Sequence, residues 1–147
     1  MRTVVQRVSH AQVTVDNKVV GSIDHGMVVL VGVTHTDTET TAQQLAQKIT
    51  GLRIFDDGAG KMNQSVSDVG GGILIVSQFT LYGDVRRGRR PGFDAAAPPE
   101  HARALYEQFV DHCRQLVTRV ETGIFQAKMS VDIANDGPVT FIYDTDS

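Results

Sequence analysis

The twelve residues Gly70-Gly71-Gly72-Ile73-Leu74-Ile75-Val76-Ser77-Gln78-Phe79-Thr80-Leu81 constrain the fold more than any other stretch. Three glycines open the run and four branched or long aliphatics follow. A short apolar run bounded by turn residues reads as a buried strand. Ser77, Gln78 and Thr80 then appear where core is expected. Buried hydroxyl and amide groups are costly without hydrogen-bond partners, so this strand end has two readings. It presents polar groups to a substrate, or it simply runs out into a polar turn at Leu81-Tyr82-Gly83-Asp84.

The rest of the chain supplies strands around this one. Val4, Gln6 and Val8, then Ala11, Val13 and Val15, alternate with more polar neighbours, which predicts two strands broken near Ser9-His10. Asp16-Asn17 is a hairpin turn signal before Lys18-Val19-Val20. Met27 to Val33 is continuously apolar, as in a strand buried on both faces. Ala42, Leu45, Ala46, Ile49 and Leu52 fall at helical spacing after a Thr36 or Thr38 cap, with Gly51 near the end. Leu52 to Phe55 reads as a short strand, followed by a turn at Asp56 to Gly60.

Pro98-Pro99 opens a second helix. Its apolar stripe is Ala102, Leu105, Tyr106, Phe109, Val110, Cys113 and Leu116. After Gly123, Met129, Val131 and Ile133 form a strand. Asn135-Asp136-Gly137-Pro138 is a turn, and Val139 to Tyr143 is the last strand. The pattern predicts an α+β fold: one domain over 1–147, with a largely antiparallel, barrel-like sheet and two helices covering one face.

Length and composition set limits on function. With 147 residues, 41% hydrophobic and 21% charged, the chain suits one globular core. No apolar run reaches the length of a membrane span, and Met1-Arg2-Thr3-Val4 leads straight into a strand pattern, so the expected compartment is the cytoplasm. A lone cysteine agrees, because no internal disulfide can form. The net charge of −3 offers no general attraction for nucleic acid. Any polyanion contact must be local, and Arg86-Arg87-Gly88-Arg89-Arg90 is a local basic patch suited to phosphate. It reads equally as a solvated loop.

Other chemistry is poorly supported. The five histidines, His10, His25, His35, His101 and His112, lack metal-ligand spacing, so no metal or other cofactor is expected. Cys113 lies on an apolar stripe and His112 points to a different helix face, so the thiol reads as a small buried hydrophobe. Ser77 lacks the G-x-S-x-G elbow of serine hydrolases.

Two motifs, Ser77-Gln78-Phe79-Thr80-Leu81 and Asn135-Asp136-Gly137-Pro138-Val139-Thr140, change the balance. With them the chain resembles the D-aminoacyl-tRNA deacylases of the bacterial and eukaryotic type, whose signatures S-Q-F-T-L and N-x-G-P-V-T both stand intact. The likeness extends through Gln6-Arg7-Val8, Arg53-Ile54-Phe55, Gly60-Lys61-Met62-Asn63, Arg90-Pro91, Phe93 and Gly123 to Met129. Gln126 stands where the family more often has glycine, and Gly92 where it usually has serine.

The resemblance implies a homodimer acting on the 3′ acceptor end of aminoacyl-tRNA. Ser77, Gln78, Phe79 and Thr80 would line the pocket. Gly137-Pro138 would be a cis pair inserted from the partner subunit, with Arg7 bracing it. Ala102, Phe125 and Met129 would frame the terminal adenosine, and Arg86, Arg87, Arg89 and Arg90 would meet tRNA phosphates. The reaction implied is hydrolysis of the aminoacyl ester, with L-residues excluded and glycine admitted. No histidine base is apparent. The substrate's own 2′-hydroxyl is therefore preferred to Thr80 as the activating group, since threonine without a base is weakly nucleophilic. An RNA-binding module without chemistry and a general small esterase are the competing classes.

Overall fold

The computed structural model describes residues 1–146. Its organising element is β1 (Arg2–Val15), a 14-residue strand paired along both edges. One edge carries β3 (Gly26–Gly32) beside residues 2–8 and β2 (Lys18–Ile23) beside residues 11–15, both antiparallel. The other edge carries β8 (Ser130–Asp144) antiparallel along its whole length. The expected break at Ser9-His10 is not a break. The β8 register slips there by one residue, so Ser9 is a bulge within a continuous strand.

β6 (Gly72–Ser77) runs parallel to β3, and β7 (Val120–Thr122) parallel to β6. The sheet is largely antiparallel, as expected, through the three partners of β1, but these two parallel pairings make it mixed, in the order β2-β1-β3-β6-β7 with β8 on β1. It nearly closes into a barrel. Arg119 Nη2 of the segment entering β7 donates to the Ser22 carbonyl of β2 at 3.1 Å, and Gly21 of β2 packs directly on the Thr122 carbonyl. β7 escaped the sequence reading because three residues carry no period.

Two further expectations need correction. Of the predicted Leu52–Phe55 strand only Phe55 enters a ladder: with Asp56, expected in the turn, it forms β4 (Phe55–Asp56) and pairs with β5 (Met62–Gln64) as a separate two-stranded sheet. Asn135-Asp136-Gly137-Pro138 is not a turn between strands but an excursion inside β8.

Both helices lie on one face, giving the expected α+β architecture. α1 (Glu39–Thr50) is capped by Thr38, whose hydroxyl accepts from the Thr41 amide at 3.3 Å while Thr41 Oγ1 accepts in return from the Thr38 amide at 3.0 Å. α2 (Pro99–Leu116) starts on Pro99 as the sequence predicts. Leu45 and Ile49 of α1 and Leu105 and Phe109 of α2 pack on Met27, Val29, Val31, Ile73 and Ile75. The alternate residues Val28, Leu74 and Val76 turn to a second cluster with Val8, Ala11, Val13 and Ile23. β3 and β6 are thus apolar on both faces, which accounts for their unbroken hydrophobic sequence. Each large side chain so buried contributes about 1.5–3 kcal/mol.

Cys113 has no exposed surface, and burial pushes its thiol up to about 12. It should resist a disulfide reagent at pH 8 in the native protein and react fully in denaturant. Rapid native labelling would contradict its placement. A second prediction tests the β3–β6 junction, where a Cβ at Gly26 would overlap the Gly72 carbonyl. Gly26→Ala should lose about 3 kcal/mol in urea unfolding. Gly58→Ala, with nothing within 4 Å of the new methyl, should stay within about 0.5 kcal/mol of the parent.

Candidate active site

β6 ends abruptly. The Gln78 amide makes its last ladder bond, to the Val31 carbonyl at 2.8 Å, and Phe79–Tyr82 then coil into a 3-10 turn. The Leu81 and Gly83 amides close that turn on Gln78 and Thr80, at 3.2 and 2.9 Å. The Phe79 and Thr80 amides precede the first closed turn and take no part in it. Both residues are exposed, Phe79 by 55%, and neither amide is engaged by the turn at the end of this rigid strand. The Phe79 ring leans on Phe93 at 5.0 Å. Gln78 Nε2 donates to Thr80 Oγ1 at 3.2 Å, and an amide cannot take the proton of that hydroxyl. The polar run Ser77 to Thr80 is therefore neither core nor a loose turn.

The turn is held from behind by a residue that sequence reasoning missed. Arg2 Nη1 donates to the Leu81 carbonyl at 2.8 Å, Arg2 Nε donates to Asp144 Oδ2 at 2.8 Å, and the guanidinium lies 4.5 Å from the Tyr82 ring centre. One side chain joins the first strand, the last strand and the site turn. An isolated arginine in a strand pattern carries no local signal of this.

Ala102 is buried in the first turn of α2. Phe125 is half-buried beside it, 5.8 Å from the Tyr106 ring and under the Arg103 guanidinium at 4.8 Å. Tyr106 in turn donates to the Ile75 carbonyl of β6 at 3.2 Å, so this cluster borders the strand that ends in Ser77. Met129 packs with the second core cluster, and its sulfur lies against Gly123. Gln126 has φ +65°, in the left-handed region that glycine adopts without steric cost, which explains why the family more often has glycine here. At Gly92 nothing lies within 4 Å of an added Cβ, so serine or glycine fits equally.

The second motif builds a projecting feature. Between the rows Gln6–Thr140 and Val8–Asn135, β8 passes through residues 136–139 while β1 passes only Arg7. Gly137 has φ +119°, its bond to Pro138 is cis, and both residues are exposed. A Cβ on Gly137 would meet Val139 Cγ2 at 2.7 Å and Arg7 Nη2 at 3.2 Å, so the backbone passes here only as glycine. Arg7 itself is 7% exposed. Its Nη1 donates to the Ile54 carbonyl at 3.0 Å and to Asp56 Oδ1 at 3.4 Å. Its Nε lies 3.2 Å from Asp136 Oδ2, an ion pair off the line of a hydrogen bond.

The basic loop is closed by paired amides of Asp84 and Gly92, at 2.7 and 2.9 Å. Arg86 is engaged within it. Its Nε and Nη2 grip both oxygens of Asp84, at 2.9 and 2.8 Å, and these bonds hold the Asp84 carboxyl down to about 2. Arg87, Arg89 and Arg90 are exposed. Among the described residues, no group of three or more His, Cys, Asp or Glu is placed to hold a metal ion. No described helix is long and apolar enough to cross a membrane.

These parts do not all meet in one chain. Ser77 lies in the row Ser77–Val31–Thr3, while the Gly137-Pro138 excursion lies at Arg7. Three strand spacings of about 4.8 Å and four residues of about 3.3 Å put roughly 20 Å along the sheet between them.

Comparison with known proteins places this arrangement. The family model described as D-Tyr-tRNA(Tyr) deacylase matches residues 4–144. A protein of Halalkalibacterium halodurans named D-aminoacyl-tRNA deacylase is 59% identical over 99% of both chains. One of Koribacter versatilis with the same name is 60% identical, over 99% of this chain and 97% of the relative. Among solved structures, a c-Myc DNA unwinding element binding protein superposes with TM-score 0.93 at 40% identity over 99% of each chain. A probable eukaryotic D-amino acid tRNA deacylase shares the fold, with TM-score 0.85 at 20% identity over 97% of each. Both signatures, the turn after β6 and the excursion in β8 thus stand in a chain that belongs to the D-Tyr-tRNA(Tyr) deacylase family.

Proposed function

We propose that the protein hydrolyses the ester joining a D-amino acid to the 3′-terminal ribose of tRNA, in the cytoplasm where charged tRNA is made and used. The observation that carries this reading is the exposed turn after β6, with the Phe79 and Thr80 amides open. An acyl ester is already activated, so a site that orients it and stabilises the developing oxyanion with two fixed N–H donors is sufficient. Ser77 and Gln78 flank those donors and hold the ester. Ala102, Phe125 and Met129 frame the adenosine, and Arg87, Arg89 and Arg90 are the cations free to meet the tRNA phosphates. No histidine is tied to the turn, and Thr80 accepts from an amide rather than donating to a base. The vicinal 2′-hydroxyl of the substrate is therefore the group that positions the attacking water.

Chirality comes from Gly137-Pro138. Lying roughly 20 Å along the sheet from its own chain's Ser77, the pair serves the turn of a second copy, so the working unit is a homodimer. Phe141 and Ile142, 41% and 75% exposed on β8, supply apolar surface for that contact. A backbone wall that touches the α-carbon admits hydrogen and refuses a side chain. Selection works by rejecting L-residues rather than by affinity for any side chain. Glycyl-tRNA, with no side chain, passes the same wall.

The decisive assay follows D-Tyr-, L-Tyr- and Gly-tRNA with the purified protein. The D and glycyl esters should be cleaved at least about a hundredfold faster than the L ester, by a species that sediments as a dimer. Comparable rates for both enantiomers would overturn the exclusion, and binding without turnover of any substrate would make the protein an RNA-binding module. A D-aminoacyl-tRNA ending in 2′-deoxyadenosine, with the amino acid on the 3′-oxygen, should react on the order of a hundredfold more slowly. Undiminished hydrolysis would remove the RNA-assisted route.

A further inference from the structure

The excursion in β8 has a neck, and one side chain closes it. Where residues 136–139 leave the ladder, the Arg7 carbonyl of β1 accepts from Asn135 Nδ2 at 2.9 Å. The same Nδ2 donates to the Val139 carbonyl at 3.0 Å. One primary amide thus ties β1 to the far limb of the excursion across its base, and both of its N–H hydrogens are used. Turning the amide over would set Oδ1 against two carbonyl oxygens, so only one orientation is possible. Thr140 Oγ1 donates to Asn135 Oδ1 at 3.1 Å and fixes that orientation from the other end. Gln6 Nε2 donates to Thr140 Oγ1 at 3.4 Å. Outside the neck the excursion is held by Arg7 against Asp136.

We propose that Asn135 is the positioning residue that sets how far Gly137-Pro138 projects toward the substrate's α-carbon, with Thr140 holding its amide in register. The inference rests on the deacylase reading above. A wall that tells hydrogen from a methyl group fails once it retreats by the small difference in their size. Without the Asn135 amide the limb carrying Val139 keeps its hold on β1 only at the Gln6–Thr140 row beyond the neck, and the Arg7–Asp136 pair restrains only the other limb. The ester-binding turn belongs to another part of the fold and is untouched. Loss of the amide therefore lets L-substrates in while leaving hydrolysis of D-substrates running. Simple destabilisation would lower both rates together.

The test compares wild type with Asn135→Asp and Thr140→Val on D-Tyr- and L-Tyr-tRNA, with unfolding curves alongside. Asn135→Asp keeps the shape but presents oxygens to two carbonyls, so it separates the hydrogen bonds from packing. The ratio of D to L kcat/KM should fall about tenfold or more, the change that loss of one or two net hydrogen bonds produces. It should fall through a rise in the L rate, with the D rate held within about threefold. Thr140→Val should move the ratio in the same direction by less. A folded Asn135→Asp protein that discriminates as wild type does would overturn the inference. If that variant fails to fold, Thr140→Val decides, and an unchanged ratio overturns it equally. A wild type that does not discriminate at all would sink the deacylase reading itself.

Discussion

A buried guanidinium is the constraint from which the site follows. Arg7 lies in the middle of β1 with 7% of its surface exposed. A charge in that position is tolerated only if acceptors converge on it. The Ile54 carbonyl comes from the residue before β4, Asp56 from β4 itself, and Asp136 from β8. Three segments far apart in sequence are thereby obliged to meet. The place where they meet is where β8 leaves its ladder and Gly137-Pro138 is thrust outward.

On the proposed reading, the two halves of the site ask for little side-chain chemistry. At the turn after β6 the useful groups are main-chain amides, presented because a rigid strand stops and a tight turn has not yet closed. At the excursion the useful surface is again main chain, shaped by a glycine no other residue can replace without collision. Around them, side chains serve as fasteners: Arg2 on the Leu81 carbonyl, Asn135 across the neck, Arg7 on Asp136. Backbone groups cannot swing through rotamers, so a wall made of them holds its position better than one made of side chains.

Much of the architecture was legible in the residues. α1, α2, the hairpin at Asp16-Asn17 and the buried strands at Met27 and Ile73 all follow from periodicity and caps, because each depends on neighbours within a few positions. Two of the readings that failed share one cause. Ser9-His10 and Asn135 to Pro138 carry polar and turn-forming residues, which locally mean a break. Both are held in strands by a partner more than a hundred residues away. The parallel pairing of β3, β6 and β7 is equally invisible, since strand direction is not encoded in composition. The fastening roles of Arg2 and Asn135 escaped notice because each works on a main-chain carbonyl, a group every residue possesses.

By itself the sequence determined the helices, the apolar strands, the inert buried cysteine and the two motifs that mark the family. These depend on local propensity and on side-chain type, both of which a string of letters records. Only the tertiary structure decided that the turn after β6 leaves two amides open and that Gly137-Pro138 projects from within a strand. It alone set these two features three strands and four residues apart in the sheet of one chain. Such properties belong to pairing register and to where main-chain hydrogen bonds end, which are settled by contacts between distant segments.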